Sequence, residues 1–137
     1  MKPNDKVNEI FNVLKNHILS KSKYSPEVKR SVVDNKYPLV VFEKRSSPYE
    51  SLSQDEHRLD KVVNFSFEVS IFATDIKNTN SEIICDELEE LVNDVMSDYY
   101  LMQGGLDAKL KNINTSKATK YVLHYACKYC VRQDRIN

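Results

Sequence analysis

Glycine is scarce and tryptophan is missing. The 137 residues include two glycines, Gly104 and Gly105, which are adjacent. Phosphate-binding loops and the nucleophile elbow of many hydrolases need glycines at fixed separations, so the sequence contains no P-loop, no Gly-x-Gly-x-x-Gly turn and no Gly-x-Ser-x-Gly motif. Nucleotide-binding enzymes and hydrolases of these kinds are therefore excluded, and we expect a protein that is not an enzyme and needs no cofactor.

An excess of charge of one sign is also missing. Twenty basic side chains balance twenty acidic ones, so no overall field draws the protein to nucleic acid or to an anionic membrane. No apolar run approaches the length of a membrane span, and residues 1–6 have no apolar core of the kind found in signal peptides. We expect a protein that remains in the cytoplasm where it is made, binds no membrane and recognises no specific nucleic-acid sequence.

Cysteines are few, and their odd number of three argues against a disulfide framework. Cys127 and Cys130 have the Cys-x-x-Cys spacing of some zinc and thiol-exchange sites. The surrounding residues predict a strand, however, and residues three apart in a strand point to opposite faces. Because no second cysteine pair completes a four-ligand zinc site, we interpret these thiols as packed side chains and expect no metal.

Two segments have the periodicity of amphipathic helices. The first follows the candidate caps Asn4 and Asp5, and its apolar residues are Val7, Ile10, Phe11, Leu14 and Ile18. The second begins at Thr79 and Glu82, which have capping-box spacing, and ends at the two glycines. Its apolar stripe comprises Ile83, Ile84, Leu88, Leu91, Val92, Val95, Met96 and Tyr99.

Four segments predict strands. A β-rich run covers residues 37–43, and residues 63–73 alternate apolar with polar side chains. Residues 110–113 and 121–131 predict a hairpin, whereas residues 20–36 predict a connection. The expected fold class is α+β, a mainly antiparallel four-stranded sheet with two amphipathic helices packed on one face, in a single domain covering residues 1–137.

Two polar segments lie outside these elements. Residues 46–60 predict a long polar loop, and residues 132–137 predict a flexible tail. Long loops inside compact domains are usually functional, and charges of both signs suit a protein contact. The candidate interface residues are Arg45, Tyr49, His57 and Arg58 around this loop, and Tyr125 and Tyr129 on the last strand. For the two tyrosines core packing is the first interpretation and an interface is the second.

The order of these elements resembles that of the tail terminator and tail-completion proteins of long-tailed bacteriophages and phage-tail-like particles. The resemblance covers nearly the whole chain. It rests on the opening helix, the strand that starts Tyr37-Pro38-Leu39-Val40-Val41, the long polar loop, the strand at 65–72, the helix at 82–100 and a terminal strand ending near Val131. No single motif carries it, and it transfers no functional residue.

The resemblance implies a structural protein of the virion tail, assembled in the bacterial cytoplasm. Such proteins form a ring, commonly a homohexamer, that caps the finished tail tube, ends its growth and offers a surface for head joining. The expected partners are other copies of the chain, the tail tube protein, and a head–tail connector or neck protein.

Three alternatives stay open at this point. One is a neck or head-closure connector, and another is a small nucleic-acid-binding regulatory domain that uses residues 44–61. The third is a hydrolase whose catalytic groups come together from distant positions.

Overall fold

A computed structural model of the chain describes residues 3–31, 36–45, 62–98, 102–103, 109–114, 118–130 and 135–136. Its helices are α1 (Pro3–Lys21) and α2 (Ser81–Asp98). Its strands are β1 (Glu27–Lys29), β2 (Leu39–Lys44), β3 (Val62–Thr74), β4 (Met102–Gln103), β5 (Lys109–Asn114), β6 (Ala118–Cys130) and β7 (Arg135–Ile136). The fold class is α+β, as the sequence predicts. The loop predicted at residues 46–60 and the two glycines lie outside the described residues.

The described strands form one mixed, mostly antiparallel sheet. Its centre is the antiparallel pair of β3 and β6, each 13 residues long and matched over the whole length, from Val62 opposite Cys130 to Thr74 opposite Ala118. β2 lies antiparallel to β3 on the other side, and β1 pairs parallel with β2. On the outer side of β6, the strands β5, β4 and β7 follow one another along its length.

The four predicted strands correspond to β2, β3, β5 and β6, and the pairing of β5 with β6 confirms the predicted hairpin. Three short strands add to them. β1 lies within the segment predicted as a connection. The sequence does not predict it, because the three residues Glu-Val-Lys are too few to show a period. The segment 132–137, predicted as a flexible tail, contains β7, in which Arg135 pairs with Cys130 and Ile136 with Tyr129.

α1 begins at Pro3, before the predicted caps Asn4 and Asp5. Proline is favoured in the first turn of a helix, because its missing N–H would have no partner there and its φ is already helical. The predicted stripe is confirmed: Val7, Ile10, Leu14 and Ile18 are buried. Phe11 is half-buried, and its ring lies 5.8 Å from that of Phe42.

α2 is capped by Asn80 and not by Thr79. The side-chain oxygen Oδ1 of Asn80 accepts a hydrogen bond from the N–H of Glu82 at 2.8 Å. Thr79 is engaged in a turn, where its N–H donates to the carbonyl of Ile76 at 2.8 Å. The predicted capping box is therefore wrong at its first residue, because this backbone bridge holds Thr79 one position outside the cap.

The buried side of α2 follows most of the predicted stripe. Ile84, Leu88, Val92, Val95 and Met96 are buried, together with Cys85. Ile83 is 52% exposed and so does not belong to it. None of the helices in the described part of the chain combines the length and apolar character that crossing a bilayer requires.

Aromatic rings from three strands form the centre of the core. The rings of Phe42 and Phe67 stack at 5.0 Å, Phe65 lies 5.5 Å from Phe67, and Tyr129 stacks on Phe65 at 5.4 Å. The buried residues of α1 and α2 belong to the same hydrophobic cluster as these rings. We call the sheet side that bears this cluster the core face; it carries the even-numbered residues of β2 and the odd-numbered residues of β3 and β6.

Polar contacts align α2 with β6. The hydroxyls of Ser81 and Thr119 lie 2.7 Å apart, and farther along Tyr125 donates its hydroxyl to Oδ1 of Asn93 at 2.5 Å. Between these two contacts the helix rises about 18 Å, and the strand rises about 20 Å. Because the two distances nearly match, α2 runs parallel to β6. Polar side chains of the helix and the strand are hydrogen-bonded to each other at both ends of the contact.

We expect Phe67→Ala to lower the free energy of unfolding by about 3–5 kcal/mol, because it removes a buried ring that contacts two others and leaves a cavity. Urea denaturation followed by far-ultraviolet circular dichroism measures this change. Ile83→Ala on the exposed side of α2 is the matched control and should change stability by no more than about 0.5 kcal/mol. Equal effects of the two substitutions would contradict the described core.

Candidate interface

The sheet has a second side, which we call the opposite face. The alternation of β3 and β6 places on it Asn64, Ser66, Glu68, His124, Ala126 and Lys128. Ala126 and Lys128 are exposed, and the other four are half-buried. The alternation predicted over residues 63–73 is therefore confirmed: Asn64, Ser66 and Glu68 lie away from the core cluster, and so does Ser70, although it is buried. Towards the start of β2 this face becomes apolar, since Leu39 and Val41 are buried outside the core cluster.

Charged side chains form a row across three strands of the opposite face. The register places Glu43 of β2 opposite Glu68 of β3, and Glu68 opposite His124 of β6. Arg45 follows β2, and its N–H donates to the carbonyl of Ser66 at 2.8 Å, which holds its backbone beside β3. We call Glu43, Arg45, Glu68 and His124 the charge row.

Arg45 connects the two carboxylates of the charge row. Its Nη2 lies 2.6 Å from Oε2 of Glu68 and 3.6 Å from Oε1 of Glu43. The hydrogen bond to Glu68, followed by the negative charges of Glu68 and Glu43, raises the pKa of Arg45 above its ordinary value. Two carboxylates directly opposite each other repel, so the guanidinium is the group that allows Glu43 and Glu68 to be neighbours.

The nitrogen-bearing side chains of the charge row are more exposed than its carboxylates. The side chain of Glu68 is 16% exposed, whereas those of Arg45 and His124 are 55% and 44% exposed. Nδ1 of His124 lies 4.0 Å from Oε1 of Glu68. A partner that approaches this face therefore meets the guanidinium and the imidazole before it reaches the carboxylate behind them.

The structure brings one predicted interface residue, Arg45, into this site. Tyr49, His57 and Arg58 lie outside the described residues. Tyr125 and Tyr129 are buried, which corrects their assignment to an interface in favour of core packing. The physical reason is strand parity: odd-numbered residues of β6 lie on the core face.

Glu43 and Glu68 belong to the charge row, and neither is among the candidates selected from the sequence. The alternation of β3 places Glu68 on the polar side of its strand, and this is the sequence feature that could have identified it. Their meeting with Arg45 depends on the register between β2 and β3, which no local pattern contains.

The predicted separation of the two neighbouring cysteines is confirmed. Cys127 belongs to the core cluster on the core face, and Cys130 lies outside that cluster. Burial raises the pKa of the Cys127 thiol to about 12, against the opposing effect of the Lys6 ammonium. Within the described ranges, no three His, Cys, Asp or Glu residues form a group that could hold a metal ion.

A cleft of about 280 Å³ lies where the end of α1 meets α2. The hydroxyl of Tyr24 donates a hydrogen bond to Glu87, and this bond, together with burial and the negative charge of Glu87, raises the pKa of Tyr24 to about 12. Nε2 of His17 lies 3.6 Å from Oδ2 of Asp94. Because Tyr24 follows His17 while Glu87 precedes Asp94, the helices are antiparallel, and these contacts join them.

Comparison with known proteins finds no matching family model and no matching curated protein.

Two tyrosines that connect β6 to α2 should make the free energy of unfolding depend on pH in the alkaline range. Burial raises the pKa of Tyr121 and of Tyr125 above the ordinary value; the hydrogen bond to Asp86 adds to the effect on Tyr121, and the charge of Glu89 adds to that on Tyr125. Above about pH 10 these tyrosines ionise in the unfolded chain and remain protonated in the folded one. The folded state then binds more protons, so the free energy of unfolding falls as pH rises.

The double variant Tyr121→Phe/Tyr125→Phe should show a shallower loss of stability above about pH 10 than the unchanged protein. At neutral pH each substitution should cost about 0.5–1.5 kcal/mol, the usual net value of one hydrogen bond. Urea denaturation at a series of pH values measures both effects. The control is Tyr37→Phe, because Tyr37 is exposed. Parallel pH curves for the double variant and the unchanged protein would contradict the assignment.

Proposed function

We propose that this chain is a tail terminator, a structural subunit that assembles with copies of itself into a ring on the end of a phage-type tail tube. The ring, commonly a homohexamer, ends tube growth and offers the surface to which a head–tail connector binds. The protein acts in the virion tail after assembly in the bacterial cytoplasm, and it acts through contacts, without catalysis. The order of helices and strands supports this proposal, together with the charge row.

The charge row is the observation that carries the proposal. Exposed ion pairs contribute little to the stability of a single chain. Charges held in fixed positions on a surface instead direct association, because they favour a complementary partner and repel others. The register of β2, β3 and β6 holds Glu43, Glu68 and His124 in one line, and Arg45 is fixed beside it by its contacts with both carboxylates. Such fixed charges suit a specific protein contact.

A ring of identical subunits uses a heterologous contact, so each subunit needs two different complementary surfaces. In our proposal, the first surface is the charge row with the residue 46–60 segment that follows it. The second is an outer edge of the sheet. The proposal includes both helices packed on one face of β2, β3, β5 and β6, which leaves the other face for neighbouring subunits or for the tube.

The alternative of a neck or head-closure connector shares the size and the expected fold. It differs in its partner, because a connector binds portal-side proteins. Incubation of the purified protein with isolated tail tubes and with isolated connectors, followed by electron microscopy, separates the two: a terminator decorates tube ends.

A nucleic-acid-binding domain is less well supported by the described part of residues 44–61. The ammonium of Lys44 lies 5.9 Å from the ring centroid of Phe65, and Arg45 contacts two carboxylates. A phosphate group would therefore have to compete with two carboxylates for Arg45.

Arg45→Glu should weaken ring assembly or tube capping at least tenfold, because it replaces a cation with a third carboxylate beside Glu43 and Glu68. We expect particles made with this variant, like particles made without the chain, to carry overlong tails in negative-stain electron microscopy. Lys23→Glu is the matched control, since Lys23 is an exposed cation on the helical side.

Circular dichroism should first show that both variants fold. Tails of normal length with folded Arg45→Glu would contradict the role of the charge row. Tails of normal length in particles without the chain would contradict the proposed function itself.

A further inference from the structure

The outer side of β1 is an edge of the sheet. The N–H of Glu27 donates to the carbonyl of Pro38 at 3.0 Å, so it points towards the β2 side. Backbone groups of successive residues in a strand point in opposite directions, and the N–H and C=O of Val28 therefore point away from β2. No strand of the described residues pairs with this outer side. Such an edge is a template for one more strand.

A groove of about 360 Å³ runs between this edge strand and α1. Leu19 of α1 is 48% exposed beside it, and Pro26 and Val28 line it as buried residues. An apolar groove beside an edge strand is the arrangement by which proteins bind extended peptides. The peptide backbone pairs with the edge, and alternate side chains enter the groove.

Ammonium groups dominate the border of this groove. Lys15 and Lys29 line it, and the carboxylate that lines it belongs to Glu27. This carboxylate is contacted by Lys29 Nζ at 2.8 Å and by Lys36 Nζ at 3.8 Å. Two ammonium groups thus contact the Glu27 carboxylate, and Lys15 adds a third ammonium group to the groove lining. Among these described residues positive charge is in excess, which favours an acidic occupant.

We propose that the groove between α1 and β1 binds an extended acidic segment of a partner protein as an additional strand on β1. The segment pairs with the backbone of Val28, places an apolar side chain against Leu19 and directs carboxylates towards Lys15 and Lys36. This surface includes no residue of the charge row, and the inference goes beyond the proposed ring.

A second copy of this chain fits the groove less well. No described strand carries more than one carboxylate: β1 has Glu27, β2 has Glu43 and β3 has Glu68. The acidic residues of the described chain are concentrated in α2, whose helical backbone bonds are made within the helix. The complementary strand is therefore expected from a different protein.

The binding test uses the full-length protein and a capped hexapeptide of sequence Glu-Val-Glu-Leu-Glu-Val. We expect saturable binding with a dissociation constant below about 1 mM. Nuclear magnetic resonance should place the largest shift changes at Val28 and Leu19. Hydrogen exchange of the Val28 amide should slow at least tenfold at saturation, because that amide gains a partner. The peptide Lys-Val-Lys-Leu-Lys-Val should bind at least tenfold more weakly.

Protein variants locate the site. Lys15→Glu and Leu19→Ser should each weaken binding of the acidic peptide at least fivefold, and both change side chains at the groove without removing core contacts. Lys128→Glu and Val13→Ser are the matched controls for charge and for an exposed apolar residue. Both controls should leave the dissociation constant unchanged.

Methylated peptides test the backbone pairing. Two versions of the acidic peptide carry N-methyl groups at either its odd or its even positions. Since alternate N–H groups of a strand point to opposite sides, one version should lose binding at least tenfold and the other should keep it.

Four results would overturn the proposal: equal binding of the basic peptide, equal binding of both methylated peptides, an unaffected Val28 amide, or control variants that weaken binding as much as the groove variants. Self-association that slows exchange at Val28 without any peptide would also overturn it, because a second copy would then be the occupant. These measurements do not involve tail assembly, so they distinguish failure of this inference from failure of the proposed function.

Discussion

The antiparallel pairing of β3 with β6 is the constraint on which the rest of the structure depends. The two strands are matched over all 13 residues of each. Because side chains alternate along a strand, this one register sends the odd-numbered residues of both strands into the core and the even-numbered ones to the opposite face. A shift of one residue in β6 would place Tyr125 beside Glu68 on the polar side and expose the core.

The same register positions the two tyrosines that contact α2. Tyr121 and Tyr125 lie on the core face at a separation that brings their hydroxyls to Asp86 and Asn93 of α2. Each tyrosine thus contributes a buried ring and a hydrogen bond that directs the helix along the strand. α1 then packs antiparallel to α2. Its Lys6 is buried, with its ammonium 2.9 Å from Glu9 and 5.7 Å from the ring centroid of Tyr129.

Two separate surfaces follow from this architecture. The charge row lies on the opposite face, where even-numbered residues of β3 and β6 meet the end of β2. The groove lies between α1 and β1, at the edge where the sheet stops and the helix begins. Heterologous assembly and the attachment of a further protein both require different surfaces on one subunit. The polar face and the strand edge are two such surfaces.

The sequence by itself determined the features that burial makes periodic: the two helices, the four longer strands, the α+β class, and the core positions of Phe65, Phe67 and Val69. These patterns are local, because the spacing of apolar residues along a short segment is enough to indicate a helix or a strand and its buried side. Tertiary structure alone decided the partners of those elements. Three features depend on residues distant in sequence: the contact of Arg45 with Glu68, the burial of Tyr125 and Tyr129, and the pairing of β1 with β2. Backbone hydrogen bonds form between any pair of residue types, so the sequence of one strand does not identify its partner.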